Sequence, residues 1–480
     1  MQKTFYLTTT LPYVNAPLHM GHALEFVRAD TIVRYKKLQG FDVYFNTGTD
    51  EHGKKNYEKA IEKDQDPKEF VDAGFETFKE QLKMFGVSPD IHFVRTTDKY
   101  HEMAAQEFWK RVKDNGYIYK KSYQTKYCVG CESEKTDSEL NEKGECLLHP
   151  GKQVELIDEE NYFFKYSAFG EKLLDLYEKK PNFVIPEFRF HEIKNFVEGG
   201  LQDFSISRLK EKMPWGIEVP DDKEHVMYVW FDALTNYIST LGWPDKQDDF
   251  EKYWVRGTPT QYCGKDNTRF QAATWQAMLM AAGLPNSHQI VVNGFITAEG
   301  GTRMSKSLGN GVDPRDIVAE YGTDALRYFL LREISSFEDS PFTLERFKDA
   351  YNSGLANGLG NLVSRIMTMS TNYGVKLSDE DLKMKYYTDT NEDLENFDLN
   401  KFINNIWFNL KNLDEYIQKN EPFKKIKINK EEAEKDVYYL LFHLYGAALA
   451  LESVIPETAK KIQELIKENK KPEAPLFLRK

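Results

Sequence analysis

Residues 3–9 alternate apolar and polar side chains and are rich in threonine and aromatics, which predicts a strand. Residues 11–17 hold two prolines and an asparagine and read as a loop. Over 19–38, Met20, Ala23, Leu24, Val27, Thr31 and Ile32 recur at helical spacing, and Gly40 follows as a stop. A second short strand is expected over 42–46, a loop over 48–53, and helices over 66–85 and 98–115. Strand, helix, strand in this order is the opening of a parallel α/β sheet. Over 123–155 the pattern lapses: there are many charges, three of the four cysteines and no long apolar run, as in an insertion. Strands are expected again over 226–231 and 289–292, with a helix over 267–282 between them. Beyond Pro341 the periodicity is helical, through 344–373, 400–419 and 431–451. No internal repeat or low-complexity tract is present. The expected fold is a parallel α/β domain split by an insert and followed by an all-helical domain.

Composition narrows this further. A chain of 480 residues with 41 % hydrophobic and 29 % charged residues can bury several cores and is not disordered. Four cysteines exclude a disulfide scaffold. The N-terminal stretch reaches Thr8-Thr9-Thr10 too soon for a signal peptide. The most apolar stretch, 437–451, contains His443 and Gly446, is too short to span a membrane, and is expected to be a buried helix. A cytoplasmic protein is expected. The net charge of −12 argues only weakly against a nucleic-acid partner, because phosphate recognition needs a local basic surface and not a basic total. The lysine-rich 460–480 tail offers one, although a solvated helix face is the simpler reading.

Three motifs carry chemistry. His19-Met20-Gly21-His22 lies where a loop feeds a helix N-terminus. The two imidazoles share one face of the first turn, free N–H groups attract phosphate, and Gly21 leaves room for a flat group against the backbone. Arg303-Met304-Ser305-Lys306-Ser307 sits among Gly300, Gly301 and Gly309. A flexible loop with a lysine point charge and small hydroxyls can close over polyphosphate. Cys128-x2-Cys131-x14-Cys146-x2-His149 has the spacing of a structural zinc site, with three thiolates and one imidazole leaving no open position. Cys263 is expected to be a small core residue.

HMGH and RMSKS, in this order, resemble the HIGH and KMSKS signatures of class I aminoacyl-tRNA synthetases. Leu11-Pro12-Tyr13-Val14-Asn15, Thr49-Asp50-Glu51-His52-Gly53, Tyr228-Val229-Trp230-Phe231-Asp232-Ala233, Gly264-Lys265-Asp266 and Asn361-Leu362-Val363-Ser364-Arg365 resemble the methionyl-tRNA synthetase family, so the likeness covers nearly the whole chain. The resemblance implies ATP-dependent activation of methionine to methionyl-adenylate and transfer to the 2′-hydroxyl of tRNA(Met), with Mg2+ accompanying ATP and one structural Zn2+. It implies a catalytic Rossmann-like half over 1–120, a zinc-bearing connective insert over 121–195, the second catalytic half over 196–290, a KMSKS and stem-contact region over 291–350, and a helical anticodon-binding domain over 351–480.

The same resemblance assigns His19, His22, Lys306 and Arg303 to catalysis. Gly21, Gly264, Asp266, Ser305 and Arg208 would bind ATP. Leu11, Tyr13, Asp50, Trp230, Ala233, Tyr237 and Asn293 would hold methionine, and Asn361, Arg365 and Phe423 would read the CAU anticodon. Two positions depart from the family pattern: Asn293 stands where relatives carry histidine, and Phe423 where they carry tryptophan. The span between Lys120 and Trp230 is too short for the hydrolytic insert of the isoleucyl, valyl and leucyl enzymes. A cysteinyl enzyme would place zinc in the amino acid pocket. Another adenylate-forming ligase would lack the helical domain, and a catalytically inactive tRNA-binding relative would not need HMGH and Lys306. A monomer is expected, with no membrane partner.

Overall fold

The computed structural model describes residues 3–131, 133–135, 137–302, 304, 311–384 and 392–480. It forms two compact units. The first comprises Met1–Leu18, Phe41–Gln81 and Pro89–Val292; the second comprises His19–Gly40, Leu82–Ser88 and Asn293–Lys480.

The first unit is built on a six-stranded sheet in the order His92–Arg95, Asp42–Thr49, Thr4–Thr8, Pro259–Gly264, Gln289–Asn293, Val184–Ile185. Thr4–Thr8 pairs in parallel with both its neighbours. Phe5 to Thr8 and all of Pro259–Gly264 are buried, as expected of strands covered on both faces. The 123–155 region is not structureless. Ile118–Cys128 and Glu155–Phe164 form a long antiparallel ladder from Ile118↔Phe164 to Tyr127↔Glu155, flanked by Ser133–Lys135 and Phe204–Ser205. Its strands are largely polar, which hid them from a search for apolar runs.

Two expectations need correction. The strand expected over 226–231 ends early: Asp222–Met227 is a strand, and Val229–Ala233 is a helical turn. A short, fully buried apolar run looks the same in either state. The helix expected over 267–282 is a relay of a 3-10 turn at Lys265–Asn267, a π-helical turn at Phe270–Thr274, and an α-helix at Trp275–Ala281.

In the second unit, the expected helix is Met20–Leu38. Nearly every side of it is buried, including Glu25, Arg28, Asp30 and Lys36. Arg28, Asp30 and Lys36 have partners, Lys36 in an ion pair with Glu395 at 2.7 Å. Arg28 donates to the carbonyls of Ile334 (2.9 Å), Ser335 (2.7 Å) and Ser336 (3.0 Å). Asp30 accepts from Arg34, from Arg327 at 2.9 Å, and from the amide and hydroxyl of Ser88. Buried ions held by several partners lock a helix in place, because losing one partner strands the other in a dry interior. The 344–373 region carries a π-helical segment, Tyr351–Gly360, between Leu344–Ala350 and Asn361–Tyr373. Gly354 permits it, since a Cβ there would fall 1.8 Å from the Tyr328 hydroxyl. Leu399–Asn420, Lys430–Leu451 and Pro456–Glu468 complete the helical region. No helix among the described residues is long and apolar enough to cross a membrane.

Candidate functional site

The HMGH turn is a reciprocal cap. His19 is the N-cap of Met20–Leu38, and its Nδ1 accepts from the amides of Gly21 (3.1 Å) and His22 (3.4 Å). The Nδ1 of His22 accepts in return from the His19 amide at 3.3 Å, and the two rings stack 3.8 Å apart. This alters the expectation that open N–H groups meet phosphate: the imidazoles occupy them. With both Nδ1 atoms accepting, each neutral ring carries its proton on Nε2. The pair therefore presents two N–H donors without needing positive charge. Burial and the neighbouring His19 hold the His22 pKa well below its ordinary value, so His22 is neutral at pH 7. Gly21 serves the cap as well, because a Cβ there would fall 3.0 Å from Cε1 of His19. Arg303, Ser305 and Lys306 lie outside the described residues.

In the first unit, Tyr13 forms a parallel bridge with Asp50, and the Asp50 amide donates to the Pro12 carbonyl at 3.0 Å. Leu11 lies in the same loop, partly buried. Each residue after Asp50 anchors that loop in a different direction. Glu51, wholly buried, receives a two-pronged bond from Arg95 (2.7 and 2.9 Å) and the hydroxyl of Thr49 at 2.6 Å. His52 Nδ1 lies 2.7 Å from Oδ2 of Asp232, whose Oδ1 is 2.8 Å from Nε2 of His101. His101 Nδ1 in turn lies 2.9 Å from the Ser239 hydroxyl. Burial disfavours the charged forms of this network. The mutual attraction of His52 and Asp232 overrides it, raising the imidazole pKa and lowering the carboxyl pKa. Asp232 was legible only as part of a family motif; its partners lie 180 and 131 residues away.

Trp230 stacks on Phe270, with ring centres 3.8 Å apart and planes within 6°. Tyr237 is buried, its hydroxyl accepting from Gln271 at 2.5 Å. Ala233 is buried, and its carbonyl accepts from Asn236 at 2.7 Å. Gly264 ends its strand, buried, and the exposed Asp266 follows in the 3-10 turn. Arg208 lies 5.0 Å from the ring centres of both Tyr127 and Tyr228 and donates to Ser205 and Ser207. Cys263 is buried, as a core residue should be.

In the second unit, Asn293 donates to the Gly294 carbonyl at 2.9 Å. That bond sets its amide orientation, and its buried Oδ1 has no hydrogen-bond partner among the described residues. The polar group it offers is thus an acceptor.

Cys128, Cys131, Cys146 and His149 bring their ligand atoms within 4.8 Å of one another. Sγ of Cys131 lies 3.5 Å from Sγ of Cys146 and 3.2 Å from Nδ1 of His149, and Cys128 Sγ lies 3.9 Å from the same nitrogen. A tetrahedron with metal–sulfur bonds of about 2.3 Å has sulfur edges of about 3.8 Å, so the donor set and its spacing fit zinc. Gly130 is required beneath the imidazole, since a Cβ there would fall 2.6 Å from Cγ of His149.

In the helical region, Asn361 is exposed at the start of Asn361–Tyr373, one turn before Arg365. Arg365 forms an ion pair with Asp414, a partner the sequence did not suggest. Phe423 is exposed beside Lys424.

A parallel sheet, an HxGH helix cap and a helical C-terminal region are the parts of a class I tRNA synthetase. The family model described as "tRNA synthetases class I (M)" matches residues 5–155 and 142–367. The methionine–tRNA ligase of Caldanaerobacter subterraneus subsp. tengcongensis is 41 % identical over 97 % of this chain and 74 % of its own length. That of Rickettsia felis is 38 % identical over 98 % and 93 %. The Mycobacterium tuberculosis methionyl-tRNA synthetase, solved in complex with methionyl-adenylate, superposes with a TM-score of 0.89 at 35 % identity, covering 97 % of this chain and 94 % of that one. The chain belongs to the methionyl-tRNA synthetase family.

Proposed function

We infer that the protein joins methionine to ATP, releasing pyrophosphate, and then transfers the methionyl group to tRNA(Met), releasing AMP. The observation that carries this reading is the paired histidine cap at the head of Met20–Leu38 in a chain that aligns with methionine–tRNA ligases over 97–98 % of its length. The methionine carboxylate is already a nucleophile, so the protein's work is positioning and charge neutralisation. The Nε2–H groups of His19 and His22 donate to phosphate oxygens. Lys306, with Arg303 and Ser305, takes the departing pyrophosphate. Gly264 and Asp266 contact the adenosine, the Asp266 carboxylate accepting a ribose hydroxyl, and Mg2+ accompanies the ATP. Arg208 is left out of this reading, because its guanidinium is already engaged with Ser205 and Ser207 between two tyrosines. Asp50 holds the α-ammonium by a charge-assisted bond. Leu11, Tyr13, Trp230, Ala233 and Tyr237 surround the side chain, and Asn293 supplies an acceptor. The test is ATP–pyrophosphate exchange across the twenty amino acids. Exchange with methionine is expected to dominate, and its absence would overturn the reading.

Cys128, Cys131, Cys146 and His149 would hold one zinc ion, which supplies structural cross-linking and no chemistry. Metal analysis of the purified protein is expected to find about one zinc per chain. Cys146→Ser is expected to lose the metal and to open the 128–153 segment to limited proteolysis, while a variant that keeps its zinc and protease resistance would contradict the assignment.

Asn361, Arg365 and Phe423 would read the anticodon: amide and guanidinium edges pair with unstacked bases, and the Phe423 ring stacks. The Arg365–Asp414 pair fixes the guanidinium before tRNA arrives. Arg365→Ala is expected to lower tRNA charging by about ten-fold or more, as loss of one good base contact would, while ATP–pyrophosphate exchange stays at the wild-type rate. Equal loss of both would show that Arg365 acts elsewhere.

A further inference from the structure

The loop that leads into the HMGH cap is held from behind by one helix, Pro67–Met84. The side-chain amide of Gln81 pairs with both backbone groups of Leu18, the last residue before His19. Its Oε1 accepts from the Leu18 amide at 2.9 Å, and its Nε2 donates to the Leu18 carbonyl at 3.1 Å. A backbone N–H can only donate and a carbonyl can only accept, so the Gln81 amide has one allowed orientation. Among the described residues the Leu18 backbone makes no other hydrogen bond. Leu18 and Gln81 are 2 % and 3 % exposed, so water cannot replace a lost partner. Pro17 has no N–H to give and the loop lies outside the sheet, so a glutamine does for Leu18 what a neighbouring strand does for Thr4–Thr8.

This clamp reaches the cap through a single peptide group. The Leu18 carbonyl and the His19 amide are the two ends of one planar unit. The carbonyl end is held by Gln81, and the amide end donates to Nδ1 of His22 at 3.3 Å. Fixing one end fixes the plane, and so the direction of the bond at the other. Gly74 stands on the same helix face as Gln81, about two turns earlier. A Cβ at Gly74 would fall 2.7 Å from Cβ of Val14 and 3.1 Å from its carbonyl oxygen. The helix thus meets the loop twice: sterically at Val14, next to Tyr13, and directionally at Leu18, next to His19. A third tie leaves the same helix at Asp72, which accepts from Arg95, the residue that also grips Glu51 beside Asp50.

We propose that Gln81 is a positioning residue of adenylate formation: it fixes the peptide plane that presents the His19 N–H to His22, and so holds the cap in the form in which both Nε2 atoms carry the proton. Gly74 serves the other end of the loop, letting Val14 and its neighbour Tyr13 sit close against the helix. The inference rests on the reading of His19 and His22 as phosphate donors.

The test is methionine-dependent ATP–pyrophosphate exchange, with kcat and methionine KM determined separately. Gln81→Met keeps the length of the side chain and removes both bonds. It is expected to lower kcat about ten-fold, the cost of a small misplacement of groups that meet the transition state, while methionine KM moves less than about two-fold. Gly74→Ala is expected to do the reverse: the added methyl pushes Val14 and Tyr13, raising methionine KM about five-fold with kcat nearly kept. Alanine is the better helix former, so a weakened helix cannot account for that loss. A Gln81→Met protein that melts like the wild type and keeps kcat, or one in which kcat and methionine affinity fall together, would overturn the proposal, as would a Gly74→Ala protein with the Gln81→Met profile. Should Gln81→Met fail to fold, Gln81→Asn keeps the amide one methylene short and is expected to lower kcat about three-fold, with an unchanged kcat counting against the clamp. If the unaltered protein shows no methionine-dependent exchange, the functional reading itself fails, which is a separate result.

Discussion

Asp232→Ala is expected to destabilise the first unit by about 3 kcal/mol, because two buried imidazoles lose their acceptor at once. His52 and His101 are 4 % and 0 % exposed, so neither can turn to water for a replacement. The loss falls at the low end of the range for broken buried ion pairs, since an imidazole can shed its proton where a guanidinium cannot. Chemical denaturation followed by tryptophan fluorescence measures it, and a loss under about 1 kcal/mol would show that the network is not structural.

The effect should depend on pH, and its sign follows from the two shifts. The folded His52 pKa is raised above its ordinary value near 6.5, so its stabilisation is complete below that pH and fades as pH rises through the folded pKa. The folded Asp232 pKa is lowered, so its share is present above the ordinary carboxyl range and fades only in stronger acid. Asp232→Asn should therefore cost more at pH 5.5 than at pH 9, and a cost that grows with pH would refute the assignment. Methionine KM should rise in the same variant. Asp232 ties the Trp230–Ala233 turn to the loop that carries Asp50, and slack there would loosen both ends of the proposed methionine pocket.

Lys306→Ala is expected to slow methionyl-adenylate formation about 10²–10³-fold, the usual cost of removing one preorganised group from developing charge. Methionine affinity should change little if, as proposed, the lysine meets charge on the pyrophosphate and not on the amino acid. Single-turnover adenylate formation and equilibrium methionine binding separate the two. Equal losses in rate and affinity would mean that Lys306 supports the ground state and not the transition state.

The four candidate metal ligands were complete in the spacing of one short segment, and the structure brings all four together. HMGH was legible as a helix head, but not the use of both Nδ1 atoms in a reciprocal cap, which follows from ring rotamers and not from residue types. Glu51 and His52 stood in view inside TDEHG, yet nothing local says that one faces Arg95 and the other Asp232. Gln81 gave no signal at all, since a buried glutamine in a helix looks like any polar residue. The helical turn at Val229–Ala233 follows an apolar run, 226–231, that carries no period, so sequence alone continued the strand through it.

The amino-acid order by itself determined which family the motifs belong to, which groups are candidates to meet phosphate or metal, and where helices replace strands. Those properties live in short stretches, where spacing and residue type act through local geometry. Tertiary structure alone decided which buried polar groups answer one another, and so which way each proton points. The partners of Asp232 and Gln81 come from separate segments, and only packing in a dry interior makes their pairing obligatory.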